Sequence, residues 1–156
     1  SLLDKERQPR ADKLLSIYVR SLALSATGAQ ALGCVVARDT VLWALPMEQR
    51  QAQSALLSLM ALWLQGQSAP LPLPLRTAMA AAADDLRAAT TAYEGSHVLD
   101  GECTDASWAR CYASWDDLLA SGQFQDLAKT AYTPLLEWKS QYLRIEALPE
   151  LNQGQA

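Results

Sequence analysis

The stretch from Pro46 to Gly66 constrains the fold more than any other part of the chain. Ala52, Ala55, Leu56, Leu59, Met60 and Trp63 recur at helical spacing, and Leu57, Leu62 and Leu64 carry the apolar arc round both shoulders. Only a narrow strip through Ser54, Ser58 and Gln65 is left for water. Pro46 suits the approach to the first turn, and Gly66 suits a left-handed cap beyond the last apolar residue. A helix apolar round most of its circumference must be covered from several sides, so the remaining elements are expected to wrap it.

With 156 residues, half of them hydrophobic, the chain is one domain or a piece of one and can bury a real core. A formal net charge of -4 argues against a stand-alone nucleic-acid binder, because phosphate is neutralised by clustered Lys and Arg. Cys34, Cys103 and Cys111 are odd in number and form no CxxC pair, which points to reduced thiols and a cytoplasmic location. No apolar run approaches the roughly 20 residues that span a bilayer, so no membrane partner is expected.

Ala11 to Ser25 reads as a helix, with Leu14, Leu15, Tyr18 and Leu22 on one stripe and Thr27-Gly28 as its stop. Lys5, Arg7, Arg10 and Lys13 form a local basic concentration here, either a solvated face or an edge that contacts DNA phosphates. Ala31 to Ala37 and Val41 to Leu45 read as a β-hairpin whose two faces are both apolar. Such strands belong inside a covered sheet, and a lone hairpin is marginal in water, so further strands are expected before Ser1. Beyond the central helix, Ser68 to Pro74 reads as an extended Pro-Leu connector, and Leu75 to Gly95 as a second long helix. Ser96 to Thr104 reads as a loop, Trp108 to Leu119 as one helix, and Phe124 to Thr133 as another that Pro134 breaks or kinks before a last helix. The chain is thus α+β, mainly helical with a β-hairpin. Residues 1–145 make one domain that lacks its N-terminal strands, and 146–156 make a flexible tail.

Sites are few. His97 is the only histidine and has no ligand partner at metal spacing; no metal site is expected. Asp84-Asp85 and Asp116-Asp117 diverge by about 100° on a helix and cannot share an ion, so both doublets are expected at the surface. No P-loop or GxGxxG pattern occurs. Trp108, Tyr112 and Trp115 are either core or an aromatic stripe on which a partner docks. Leu2-Leu3-Asp4-Lys5-Glu6 reads as a hydrophobic strand ending in an acid. That resembles the restriction-nuclease-like (PD-(D/E)XK-type) fold, in which an acid and a Lys two positions later hold Mg²⁺ and orient water.

Over most of its length the chain resembles the C-terminal domain of the RecC family, the gamma chain of exodeoxyribonuclease V. The resemblance is carried by Leu14 to Gly28, the hairpin around Arg38-Asp39, Leu56 to Leu75, Tyr93-Glu94-Gly95 with Gly101-Glu102, and Phe124 to Trp138. It implies a non-catalytic, degenerate nuclease-like domain of an ATP-dependent helicase-nuclease. Such a domain acts in double-strand break repair by homologous recombination, through subunit docking and DNA strand handling. The implied partners are the beta and alpha chains and duplex DNA ends; Mg and ATP serve those partner subunits, and this domain holds no cofactor. Asp4 stands where an active relative has its strand acid, but Glu6 replaces the expected Lys, and Lys5 is out of register by one. Asp4 and Glu6 are therefore read as a site remnant with no catalytic residue. The competing readings are an active Mg-dependent nuclease domain and a free-standing helical adaptor that displays its Pro-Leu segment.

Overall fold

The periodicity of Leu14, Tyr18 and Leu22 is realised as the buried stripe of α1 (Ala11–Ala26) in a computed structural model that describes residues 2–37 and 40–147. Of the flexible tail expected over 146–156, Glu146 and Ala147 instead belong to a paired strand, while 148–156 and the turn residues Arg38 and Asp39 lie outside the described residues. The fold is mainly helical with a small antiparallel sheet, hence α+β. It divides into two compact units, the described residues of Ser1–Ser54 with Trp138–Ala156, and Ala55–Glu137. No helix among the described residues is long and apolar enough to cross a membrane.

In the first unit the hairpin forms as β1 (Gly33–Val36) and β2 (Thr40–Ala44), closed by the Ala37 N–H donating to Thr40 O at 2.8 Å. A third strand, β3 (Leu143–Ala147), pairs antiparallel with β2, from Thr40 opposite Ala147 to Ala44 opposite Leu143. The expectation that the strands flanking the hairpin are all encoded before Ser1 is therefore corrected: one edge is sealed from the far end of this chain. The pairing puts Leu42, Ala44 and Leu143 on a buried face, while Cys34 and Val36 on the opposite face are exposed. Trp43 straddles the pair β2–β3, its indole N–H donating to Glu146 Oε2 at 2.7 Å. The rings of Tyr18 and Trp138, both fully buried, meet at 5.4 Å.

The central helix is α2 (Gln49–Ser68), and its start is fixed by three side chains. Glu48 accepts from the N–H groups of Arg50 and Gln51, which holds its carboxyl below the usual range. Gln49 and Gln53 donate to Ala26 O at the end of α1. Gly66 is not a cap; the helix runs two residues further, to Ser68, and Pro70 stands just beyond it.

In the second unit the helix expected over Leu75 to Gly95 is two helices, α3 (Leu75–Ala82) and α4 (Leu86–Glu94). Asp84 takes a left-handed φ of 59°, and Asp85 caps α4 by accepting from Ala88 N at 2.9 Å. Acidic residues that look like a solvated helix face instead supply a reversal and a cap. The helix expected over Trp108 to Leu119 likewise splits into α5 (Ala106–Cys111) and α6 (Trp115–Leu119), because Ser114 and Asp117 close a capping box between them. At Pro134 the correction runs the other way: α7 (Phe124–Tyr142) continues through it, presenting Phe124, Ala128, Ala131, Leu135 and Trp138 as one buried stripe.

Candidate interaction surface

The buried side of α2 is narrow. Ala52 is fully buried, and Ala55, Leu59 and Leu62 are half-buried along the same line. The adjoining arc is open: Leu57 is 65% exposed, Met60 57%, Trp63 64% and Leu64 59%. At 100° per residue these four lie within about a third of the circumference, a single apolar face. The expectation that this helix is covered from several sides is thus corrected, because apolar periodicity reports what a helix can bury and not what this chain supplies to bury it. From Gln51 to Leu75 there is no charged residue to make the face comfortable in water. Soluble domains rarely leave a contiguous apolar face bare, on the order of 500 Å² for the largest patches, unless it serves an interaction.

The basic concentration near the start is partly spent within the chain. Arg10 grips Asp12 with two contacts, at 2.9 and 3.2 Å, and Lys13 approaches the same carboxylate at 3.7 Å. Lys5 and Arg7 are exposed and have no ion pair among the described residues. Residues 2–10 do not form the expected strand. Leu3 and Pro9 make a single isolated bridge around a tight turn, with Arg7 at φ 59°. Asp4 organises that turn: its Oδ1 accepts from Glu6 N at 2.9 Å and from Gln8 N at 2.8 Å. Asp4, Lys5 and Glu6 are all exposed in this turn. Among the described residues no three His, Cys, Asp or Glu side chains are grouped as a metal site requires.

Trp108, Tyr112 and Trp115 are each half-buried and do not line up as one helical stripe, since the chain breaks between α5 and α6. Trp115 lies between Tyr93, with ring centroids 6.3 Å apart, and Phe124, edge-on at 5.6 Å. Tyr112 donates its hydroxyl to Pro70 O at 2.7 Å. That bond helps to pin the Pro-Leu segment, in which Pro72 and Pro74 are buried and Leu71 and Leu73 half-buried. The segment is therefore not the displayed ligand that the adaptor reading requires.

Two features of this unit escape a reading by pattern. Glu102 reaches back to the start of α3, accepting from Arg76 N at 3.0 Å and from both N and Oγ1 of Thr77 at 2.8 Å. Tyr93, fully buried, donates its hydroxyl to Tyr112 O, and its pKa is pushed up to about 12. Burial is the main cause, with Cys103, Asp117 and Glu102 adding repulsion of the phenolate. A tyrosine in the unfolded chain ionises near pH 10. Between pH 10 and 12 the folded state holds the extra proton, so stability falls as pH rises through that window. The melting temperature is expected to drop there, and to drop less in Tyr93→Phe, with Tyr112 and Tyr132, raised in the same direction by burial, supplying the remainder. An unchanged slope in Tyr93→Phe would refute this assignment.

Comparison with known proteins places residues 2–86, more than half of the chain, on the family model described as the RecC C-terminal domain. No curated protein and no solved structure matches the chain.

Proposed function

Since the chain belongs to the RecC C-terminal domain family, we propose that it is a non-catalytic docking and strand-handling domain of the gamma subunit of exodeoxyribonuclease V, with a degenerate nuclease-like fold. RecC is a subunit of a multi-subunit complex, and the observation that carries the docking role is the bare face of α2. Burying Leu57, Met60, Trp63 and Leu64 against another subunit would recover about 1.5–3 kcal/mol for each side chain fully desolvated. The beta and alpha chains are the partners this reading assigns to that face, and double-strand break repair by homologous recombination is its setting.

Loss of catalysis is supported by the use made of Asp4. The oxygen Oδ1 is already engaged by two backbone donors, and Glu6 stands two positions on, where a cation would be required to orient water. The DNA-facing part of the reading rests on Lys5 and Arg7, whose charges are not compensated by an ion pair among the described residues.

The test is co-purification of the gamma subunit carrying this domain with the beta and alpha chains. Trp63→Glu is expected to remove most of the association, at least tenfold in affinity, while the melt of the domain stays within a degree or two, because that side chain is open to water. Unaltered assembly with Trp63→Glu would end the docking role. Mg-dependent cutting of duplex DNA that disappears in Asp4→Asn, a change that keeps the turn's acceptor, would replace it with the active-nuclease reading.

A further inference from the structure

Given the docking role assigned to α2, on which this step rests, we propose that Tyr112 is a positioning residue for the docking end of that helix. Its hydroxyl ties down the connector behind Trp63 and Leu64, so that a partner meets these side chains already ordered. Residues 63–70 are all exposed, so the last turn of the helix has little packing to hold it. Its own chemistry is weak as well. Gly66 lies in that turn, and glycine is the poorest helix former after proline. No basic side chain stands there to meet the open carbonyls, and the closing bond from Ala69 N to Gln65 O is long, at 3.4 Å.

The connector that follows is short of donors. Pro70, Pro72 and Pro74 have no N–H, and Leu73 N–H is turned back onto Leu71 O at 2.8 Å. What the connector offers is carbonyls, and Tyr112 meets one of them, donating its hydroxyl to Pro70 O at 2.7 Å from 42 residues away. Tyr112 is itself anchored. Its N–H donates to Trp108 O at 2.7 Å, its ring lies beside that of Trp108 at 6.3 Å, and its O accepts from the hydroxyl of fully buried Tyr93. A fixed donor therefore holds Pro70 just beyond the end of α2, and it brings Leu71 back over the helix, 3.7 Å from where a Cβ on Gly66 would stand. Leu64 and Trp63 lie about 6 and about 8 Å along the axis from Ser68, within reach of any slack in that tether. A partner that had first to order a frayed helix end would lose affinity to the ordering, a cost that the bond to Pro70 removes in advance.

The experiment compares the gamma subunit carrying this domain with its Tyr112→Phe, Gly66→Ala and doubly substituted forms. It reads short-pulse hydrogen exchange by mass spectrometry and affinity for the beta and alpha chains. Phenylalanine keeps the ring beside Trp108 and the carbonyl that accepts from Tyr93, so only the bond to Pro70 is lost. Exchange over residues 65–71 is expected to quicken about fivefold in Tyr112→Phe, with α4 and α5 unchanged. Affinity is expected to fall by about the same factor, fivefold, although Tyr112 is no part of the open face of α2. Gly66→Ala strengthens the last turn by a separate route, since the added methyl has room against Leu71, and the double variant should regain most of both losses. A merely structural role for Tyr112 would not be rescued in this way. Unchanged exchange over residues 65–71 in Tyr112→Phe overturns the proposal, and so does a loss of affinity that Gly66→Ala leaves in place. Assembly weakened by Trp63→Glu but untouched by Tyr112→Phe overturns it alone and leaves the docking role standing. Assembly indifferent to Trp63→Glu overturns both.

Discussion

Replacing Gly101 by alanine is expected to destabilise the chain by about 3 kcal/mol or more, the upper range for forcing extra volume into a packed site. A Cβ at this position would lie 2.2 Å from Tyr93 O, 2.4 Å from Glu94 C and 2.5 Å from Gly95 N. All three are backbone atoms, so no side chain can swing away. Relief requires moving the end of α4. That would break the bridge between Gly95 and Asp100, loosen the bond from Ser96 N to Leu99 O and draw Tyr93 away from Tyr112. Gly101 itself has an ordinary φ of -72°, so the penalty is steric and not conformational. Gly122 is the matched control: its φ is 67° and nothing lies within 4 Å of a built Cβ, so alanine there should cost only about 1 kcal/mol of backbone strain. Thermal melts of the two variants are expected to separate by several degrees, with Gly101→Ala the lower. Coincident melts would show that the close approach of Gly101 to Tyr93–Gly95 does not constrain the fold.

This pair of glycines also shows how far the sequence could be read. The run Tyr93-Glu94-Gly95 and Gly101-Glu102 lies beyond the residues matched by the family model, and the reason for its glycines is spatial: two chain segments cross with no room for a side chain. Where structure is local, the residues predict it. The stripe of Leu14, Tyr18 and Leu22 becomes α1, and the two apolar runs flanking Arg38-Asp39 become β1 and β2. Where it depends on distant partners, they do not. The alternation Leu143, Ile145, Ala147 is a strand signal only five residues long, appended to a helix, and becomes legible only once Thr40–Ala44 is there to pair with it. Asp84 and Asp85 break a helix through their own backbone preferences, which periodicity cannot register. The candidate surface is half legible: the sequence marks Leu57, Met60, Trp63 and Leu64 as apolar helix positions, and their exposure follows only from what the described residues leave uncovered.

Glu102→Ala should cost a further fraction of stability, about 3 kcal/mol, for a different reason. Pro74 precedes α3 and has no side-chain group with which to cap it, so the first N–H groups of that helix have no local acceptor. Glu102 supplies the acceptor from 26 residues away, a carboxylate set against the positive end of the helix. Removing it strands the Thr77 hydroxyl and N–H in a site where Thr77 is fully buried, and leaves Arg76 N–H unmatched. It also frees the Arg76 guanidinium, which stands 3.8 Å from Glu102 Oε1 and donates to Asp100 O at 3.1 Å. Glu102→Gln keeps an acceptor oxygen and loses only charge assistance, so its cost should be about 1 kcal/mol. Adding Thr77→Val to Glu102→Ala removes one stranded donor and should recover part of the loss, a coupling that denaturant unfolding of the wild type, Thr77→Val, Glu102→Ala and the double variant measures. Wild-type stability of Glu102→Ala would mean that water replaces the carboxylate at no cost. The start of α3 would then be held by apolar packing of Ala78 and Met79 alone, and the loop that carries Gly101 would have no electrostatic tether to the helix it crosses.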